Sequence, residues 1–505
     1  MPFLLFLLFY LLFALGTHRD YGVTWDEADC YFWGEAYVQL LAGRPEAYED
    51  ALARSPNLRW YSHFYGGFVS LLNPGLDVDR SHLVNLCFAL LAFWAAYELL
   101  FRVFRRPWLA LLGPVLLFLT PRFTGHLPGN PRDVPFAVLF LLSLGAVYAS
   151  SAGIRRAPRH PAWILGLGLL FGLTHSLRLG SYTLYPIWIV FLAQGHFRRG
   201  TLLSGREWVR FLRSNTPPIA AVLLVAHGVL YAFFPYLHRA PFSHWIELLG
   251  LSTHYYANQT CLFMGQEIPS HLLPLSYLPV WLVVTTPLSI LALALSLPFL
   301  PAVRREGPLV PLLGSVAGVQ AVLHVLVRPA MLDGLRVYLF LLPILVLLAA
   351  VASSRILLAR RRKTWMKALL LLAVLDLGAT GIGMVRIHPY EVLHFNVLTG
   401  GLKGAVGRFD TDYWGVTYKE AVEWLRANEL KDRNPSKGTV KINTCGNAMS
   451  SMVYFGSGMI WTPFEDADYF ICFTRWRGNE KAGGRKPLYV VSRLGAPLNY
   501  VYSLR

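Results

Sequence analysis

Residues 2–29 read PFLLFLLFYLLFALGTHRDYGVTWDEAD, an unbroken apolar run that gives way to Thr24-Trp25-Asp26-Glu27-Ala28-Asp29. In hydrocarbon only a helix satisfies its own backbone, so the run is expected to be membrane-embedded, with three acids just beyond it. A secretory leader would carry a basic n-region and a small-residue cleavage site. Neither is evident, and the run is expected to persist as an uncleaved helix.

The rest of the chain repeats this pattern. Of its 505 residues 55% are hydrophobic and 15% charged, with a mean hydropathy of +0.43, which excludes disorder, a collagen-like chain and a compact disulfide scaffold. Further apolar runs lie near 83–101, 107–120, 135–150, 161–176, 181–195, 217–234, 279–300, 309–327, 335–353 and 367–386. The expected fold is a polytopic α-helical membrane protein of about eleven spans. Arg102, Arg105 and Arg106, then Arg155, Arg156 and Arg159, then Arg198 through Arg213, then Arg304 and Arg305, then Arg355 through Lys367 follow alternate runs. By the positive-inside rule these loops face the cytoplasm. The net charge of +17 therefore points to the membrane surface and not to nucleic acid.

The alternate loops face outward, including the acid-rich loop 17–80, and so does everything after Ile387. Beyond that residue the composition becomes that of a soluble chain. Residues 415–428 have the spacing of an amphipathic helix, and 439–444, 469–474 and 488–492 that of strands. The expected division is a transmembrane unit at 1–387 and a small outer α/β domain at 388–505. Cys87 falls in an apolar run, whereas Cys30, Cys261, Cys445 and Cys472 fall on the outer side; bridges among these four are open.

Three outer clusters carry chemistry. In the first, Thr24 and Glu27 have capping-box spacing, a structural role that leaves Asp26 to face a cavity as a general base. In the second, Asn130-Pro131-Arg132-Asp133-Val134-Pro135 forms a stiff loop in which Asp133 either caps the next helix or serves the site. The third comprises Arg178 and Arg336, cations at outer helix ends, where an ionisable group is expensive enough to suggest function. Headgroup contact is the plain alternative, but a guanidinium fork also suits a phosphate. No Walker A loop, GxGxxG, HExxH or paired CxxC is present, and the outer histidines His126, His175, His244, His254 and His271 have no metal-site spacing. The Asp412-Tyr413-Trp414-Gly415 stretch is expected to be core. The sequon Asn258-Gln259-Thr260 lies on the outer side.

With these residues the chain resembles the family 39-type, polyprenyl-phosphate-sugar-dependent membrane glycosyltransferases. These are relatives of the protein O-mannosyltransferases and the lipid A aminoarabinose transferase, of the GT-C fold. The resemblance runs along nearly the whole chain: Asp26-Glu27, Phe64-Tyr65-Gly66-Gly67, Pro121-Arg122-Phe123 through Pro135, Tyr277-Leu278-Pro279-Val280-Trp281, Thr285-Thr286-Pro287, Leu339 through Pro343, His388-Pro389-Tyr390, Phe395-Asn396 and Asp412 through Gly415. Where similar proteins often have Arg-His-Phe, this chain has Arg336-Val337-Tyr338, and Arg132 stands where a lysine is frequent.

The resemblance implies an isoprenoid-phosphate-linked sugar donor and transfer with inversion to a protein, lipid or glycan hydroxyl. The implied location is the outer, periplasmic face of a bacterial inner membrane. Asp26 would be the base, Glu27 and Asp133 would support the base or the acceptor, and Arg132, Arg178 and Arg336 would hold the phosphate. No cofactor is expected, and a divalent-metal requirement is open. The rival class is a transporter or lipid flippase, which would suit many helices with intramembrane arginines, but inverted repeats of broken helices are not evident. The topology has a direct test: a Cys introduced at Ser436 should react with a membrane-impermeant reagent in intact cells. Reaction only after the inner face is opened would reverse the orientation.

Overall fold

A computed structural model describes residues 2–151, 160–197, 204–253, 259–302, 307–329, 331–431 and 438–505. Arg155, Arg156, Arg159, Arg198, Arg199, Arg304, Arg305, His254, Asn258 and Ser436 lie outside the described residues. Every apolar run becomes helical. Six helices are long and apolar enough to cross a membrane: Val78–Phe104, Asp133–Ser150, Gly205–Ala232, Leu309–Val327, Leu341–Leu358 and Thr364–Ile387. The pair Tyr277–Thr285 and Leu288–Phe299 makes a seventh if its 111° bend lies within one span. The expected eleven is thus met in part. The other runs form the shorter helices Pro2–Thr17, Pro107–Phe118, Pro161–Leu177 and Leu184–His196, each below the roughly 20 residues of a full span.

The bend sits at Thr285-Thr286-Pro287, where a proline removes a backbone donor and frees carbonyls of the preceding turn. Asn396 repairs the break. Its side-chain amide donates to Val283 O at 2.6 Å and Thr286 O at 2.8 Å, and its backbone N–H to Val284 O at 2.9 Å. Irregular backbone beside apolar helices is tolerated when neighbouring groups satisfy it in this way. The Phe395-Asn396 and Thr-Thr-Pro motifs are therefore two halves of one joint.

Loop 17–80 folds into helices Trp25–Leu41, Pro45–Arg54 and Phe64–Leu72. The first and third cross closely because both are glycine at the contact. A Cβ on Gly34 would lie 2.0 Å from Gly66 C, and one on Gly66 would lie 2.2 Å from Cys30 O. That crossing fixes the roll of Trp25–Leu41, and so where its acids point.

Beyond Ile387 come helix Tyr418–Asn428 and a five-stranded sheet of β3 (Val440–Thr444), β4 (Met459–Trp461), β5 (Tyr469–Phe473), β6 (Tyr489–Arg493) and β7 (Ala496–Ser503). Their order is β4-β3-β5-β7-β6, with β3 parallel to both neighbours and β7 antiparallel to β5 and β6. A hairpin, β1 (Thr260–Phe263) with β2 (Gln266–Pro269), precedes them between two apolar helices and touches this segment through a bridge from Phe263 to Phe409. The expected helix and three strands are present; the hairpin, β4 and β7 were not anticipated. Cys445 and Cys472 form a disulfide between the β3 end and β5, Cys30 and Cys261 are free and buried, and Cys87 is free and exposed.

A histidine clasps the start of this segment to the chain after the first helix. His388 lies 2.6 Å from Glu391 Oε1 through Nδ1 and 3.0 Å from Asp20 Oδ2 through Nε2. Burial alone would lower its pKa, but Glu391 and Asp20 outweigh that and raise it from 6.5 to about 9. The folded value exceeds the unfolded one, so the clasp contributes fully below about pH 6.5 and is lost as pH rises through about 9. Thermal unfolding of detergent-solubilised protein should therefore show a midpoint falling over that window. His388→Gln should flatten the fall; an unchanged profile would remove the clasp as its cause.

Candidate active site

The site begins with the cap of helix Trp25–Leu41. The Thr24 N–H donates to Glu27 Oε2 at 2.8 Å, and the Thr24 hydroxyl donates to Gly129 O at 2.7 Å. The helix start is thereby pinned to the loop around Gly129. Glu27 is absorbed by this joint: it accepts from the Tyr31 hydroxyl at 3.4 Å, lies 3.0 Å from His82 Nε2, and is 1% exposed.

Asp26, one residue earlier, turns instead toward a cavity of about 230 Å³ walled also by Trp33, Tyr61, Arg132, Asp333, Arg336 and Trp414. Arg132 Nη1 stands 3.4 Å from Asp26 Oδ1, and Arg336 Nη1 donates to Oδ2. Arg336 also pairs with Asp333 at 3.2 Å, and Asp333 accepts from Arg475 of the C-terminal segment. The result is an alternating line, Arg132–Asp26–Arg336–Asp333–Arg475, with one more cation than carboxylate. Burial by itself would raise the Asp26 carboxyl, but the guanidiniums of Arg132 and Arg336 hold it below the ordinary carboxylate value. Burial acts against Arg132 and Arg336 as well, yet the facing carboxylates raise both above the ordinary arginine value.

Each arginine is framed by rings. The Arg132 guanidinium carbon is 4.2 Å from the Tyr61 ring centroid and 5.3 Å from that of Trp33, and Arg336 is 5.2 Å from Trp414. Trp414 is 2% exposed, so it is core as expected, but it also lines the cavity. Asp412 has a backbone task. Its carboxylate accepts from the N–H groups of Trp414, Gly415, Val416 and Thr417 at 2.8–3.3 Å and from the Thr417 hydroxyl at 2.6 Å.

Asp133 and Arg178 pair with each other and not with Asp26. Asp133 begins helix Asp133–Ser151 and is held by the Asn130 amide at 3.1 Å, while its own N–H donates to Asn130 Oδ1 at 2.8 Å. The Arg178 side chain is 29% exposed at the end of helix Pro161–Leu177. The structure thus brings Asp26, Arg132 and Arg336 together and leaves Glu27, Asp133 and Arg178 off the cavity wall.

Three site residues had no assigned role in the sequence. Asp29 is three residues on from Asp26, on the same helix face and the same cavity. Burial lifts its carboxyl above the ordinary value, with Arg132 opposing, and no hydrogen bond or ion pair reaches it among the described residues. Asp333 and Arg475 are 142 residues apart, and nothing in the spacing of either foretells their pairing. Among the described residues no three His, Cys, Asp or Glu side chains are grouped as a metal-ligand set.

No family model matches the sequence, and no curated protein matches it. Solved structures do. ArnT from Cupriavidus metallidurans, bound to undecaprenyl phosphate, is 13% identical, with a TM-score of 0.51 over 98% of this chain and 98% of that one. The same protein in its apo state gives 12%, 0.51, 99% and 97%. The Archaeoglobus fulgidus oligosaccharyltransferase gives 11% and 0.42 over 82% of this chain and 62% of that one. The chain has the fold of ArnT, the GT-C architecture, and it is a helical protein of the membrane.

Proposed function

We propose that the chain is an inverting glycosyltransferase that moves a sugar from a polyprenyl-phosphate-linked donor to an acceptor hydroxyl on the outer face of a bacterial inner membrane. One observation carries the reading: a buried carboxylate, Asp26, clamped between Arg132 and Arg336 at the wall of a cavity beside apolar helices. The undecaprenyl phosphate held by ArnT supports the donor class. The Cys445–Cys472 disulfide supports an oxidising compartment for the C-terminal segment.

In this mechanism the acceptor oxygen attacks the anomeric carbon from the face opposite the phosphate. The bond from that carbon to the phosphate oxygen breaks as the new one forms. The acceptor proton passes to Asp26, and the electron pair leaves with the lipid phosphate. Inversion follows from the single displacement. Arg132 and Arg336 serve both partners in turn. In the free enzyme they neutralise Asp26 and weaken it as a base. A donor phosphate competes for their N–H groups, and as they turn to it the carboxylate regains basicity. They accelerate transfer insofar as they bind the departing phosphate better than the intact donor. A donor phosphate at the mouth of the site would draw the half-buried Arg178 away from Asp133 and make it a further contact. Glu27 and Asp133 hold the loops that carry Asp26 and Arg132.

Purified protein incubated with a panel of isoprenoid-phosphate sugars should consume one of them, read by mass spectrometry, with inversion at the anomeric carbon. A transporter or flippase would consume none. Asp26→Asn should lower transfer by about 10²–10⁴-fold while undecaprenyl phosphate still binds. Glu27→Ala should instead lower stability by about 3–5 kcal/mol, since it strands the buried His82 and the Thr24 N–H. Near-normal turnover in Asp26→Asn would reject the assignment, and Asp29→Asn in parallel would show whether the neighbouring carboxylate is the base.

The donor contacts are tested apart from the base. Arg336→Ala and Arg178→Ala should weaken donor use, and lysine at either place should restore it only in part because a point charge replaces a bidentate fork. Unaltered donor kinetics in both Ala variants would remove the phosphate assignment.

A further inference from the structure

A second cavity, of about 460 Å³, opens on the C-terminal segment between the ends of β3 and β5 and the turn that follows β5. Its volume lies in the range of about 300–1,000 Å³ usual for small-molecule sites. The wall toward the reaction cavity is built from Trp25, Arg475 and Trp476. Trp25 lines the reaction cavity and Trp476 the outer one, with ring centroids 5.6 Å apart. The Arg475 guanidinium lies 5.4 Å from the first ring and 4.4 Å from the second. The rim is continuous as well: Cys445 and Gly446 line the outer cavity, and Asn447 lines the reaction cavity.

The backbone of this wall is held in an uncommon shape. Trp476 and Arg477 are consecutive non-glycine residues at φ 53° and 51°, in the left-handed region. Such a conformation is unfavourable for a residue with a side chain and persists where surrounding contacts impose it. Here the Trp476 ring, 37% exposed, lines the cavity together with Trp461, 39% exposed. Exposed indoles beside a carboxylate and an ammonium, Glu465 and Lys481, suit one chemistry well. A sugar ring has an apolar C–H face that covers an indole and a belt of hydroxyls that takes hydrogen bonds from charged and amide groups. An acyl chain would leave Glu465 and Lys481 without partners.

We infer that this cavity is an acceptor subsite for a saccharide, so that the acceptor of the proposed transfer is a glycan-bearing molecule of two or more sugar rings. One ring lies between Trp461 and Trp476, and a second crosses the Gly446–Asn447 rim to bring its hydroxyl to Asp26. This rests on the transferase reading for the use of the subsite, not for its existence.

The test is saturation-transfer NMR on the full chain in lipid nanodiscs. The probes are free trisaccharides of glucose, mannose, galactose and N-acetylglucosamine and a Ser/Thr-containing peptide. At least one trisaccharide should bind, and Trp461→Ala should weaken it about tenfold, as loss of a central aromatic contact does. Glu465→Gln, which leaves both rings in place, should weaken the same saccharide to a smaller extent and guards against a Trp461 variant that misfolds. Undecaprenyl phosphate, titrated on the same preparations, should bind all variants equally. If it fails to bind wild type while the saccharide result holds, the subsite stands and the transferase reading falls. Normal undecaprenyl phosphate binding with no trisaccharide signal, or with a signal indifferent to both substitutions, overturns the subsite alone. Trp461-dependent binding of the peptide in place of any saccharide overturns the saccharide assignment.

Discussion

The part of this protein beside its apolar helices is organised around a carboxylate that has left water. Asp26 is 9% exposed, and an ion of its size costs several kcal/mol to bury unless partners repay it. The partners are Arg132 and Arg336, supplied by two different outer segments. Arg336 then needs Asp333, and Asp333 brings in Arg475 from beyond β5. Satisfying one buried charge thus gathers the first outer helix, two inter-helix loops and the C-terminal segment at one point. Asp29 shares the cavity with Arg132, so the line is also faced by a further carboxylate.

How much of this was legible follows from how local each signal is. The apolar runs were, because a span is a continuous property of one stretch. So were β3, β5, β6 and the Tyr418–Asn428 helix, whose patterns are complete within a few residues. β7 was not, although it pairs with two strands. Pro497 and Asn499 interrupt its apolar alternation, and only the fold shows that the Asn499 Nδ2 donates to the Thr417 hydroxyl at 3.0 Å. The Thr285-Thr286-Pro287 motif was visible, but its dependence on Asn396 was not, since the helix break and its repair are more than a hundred residues apart.

The site divides along the same line. Asp26 could be preferred to Glu27 from sequence because the competing task of Glu27, the Thr24 N–H three residues away, is local. Asp133 and Arg178 stood out as ionisable groups at helix ends, but their mutual pairing is a tertiary event 45 residues long, and it withdraws both from the cavity wall. Asp29 stood in the quoted stretch without a role. Its distinction is the lack of a partner among the described residues, which only coordinates reveal.

The rings around the arginines hold their planes independently of Asp26. A guanidinium stacks through its face and hydrogen-bonds through its edge, so the two uses do not compete. Arg132 against Tyr61 and Trp33, and Arg336 against Trp414, are therefore held by contacts that need no hydrogen bond to persist. When an anion takes the N–H edge from Asp26, the planes of both arginines stay where the rings set them. A lysine at position 132 would keep the charge but not this division of labour, because an ammonium has no separate face and edge. The departure from the lysine frequent in similar proteins thus makes physical sense here: two aromatic side chains, Trp33 and Tyr61, stand ready to hold the plane of an arginine.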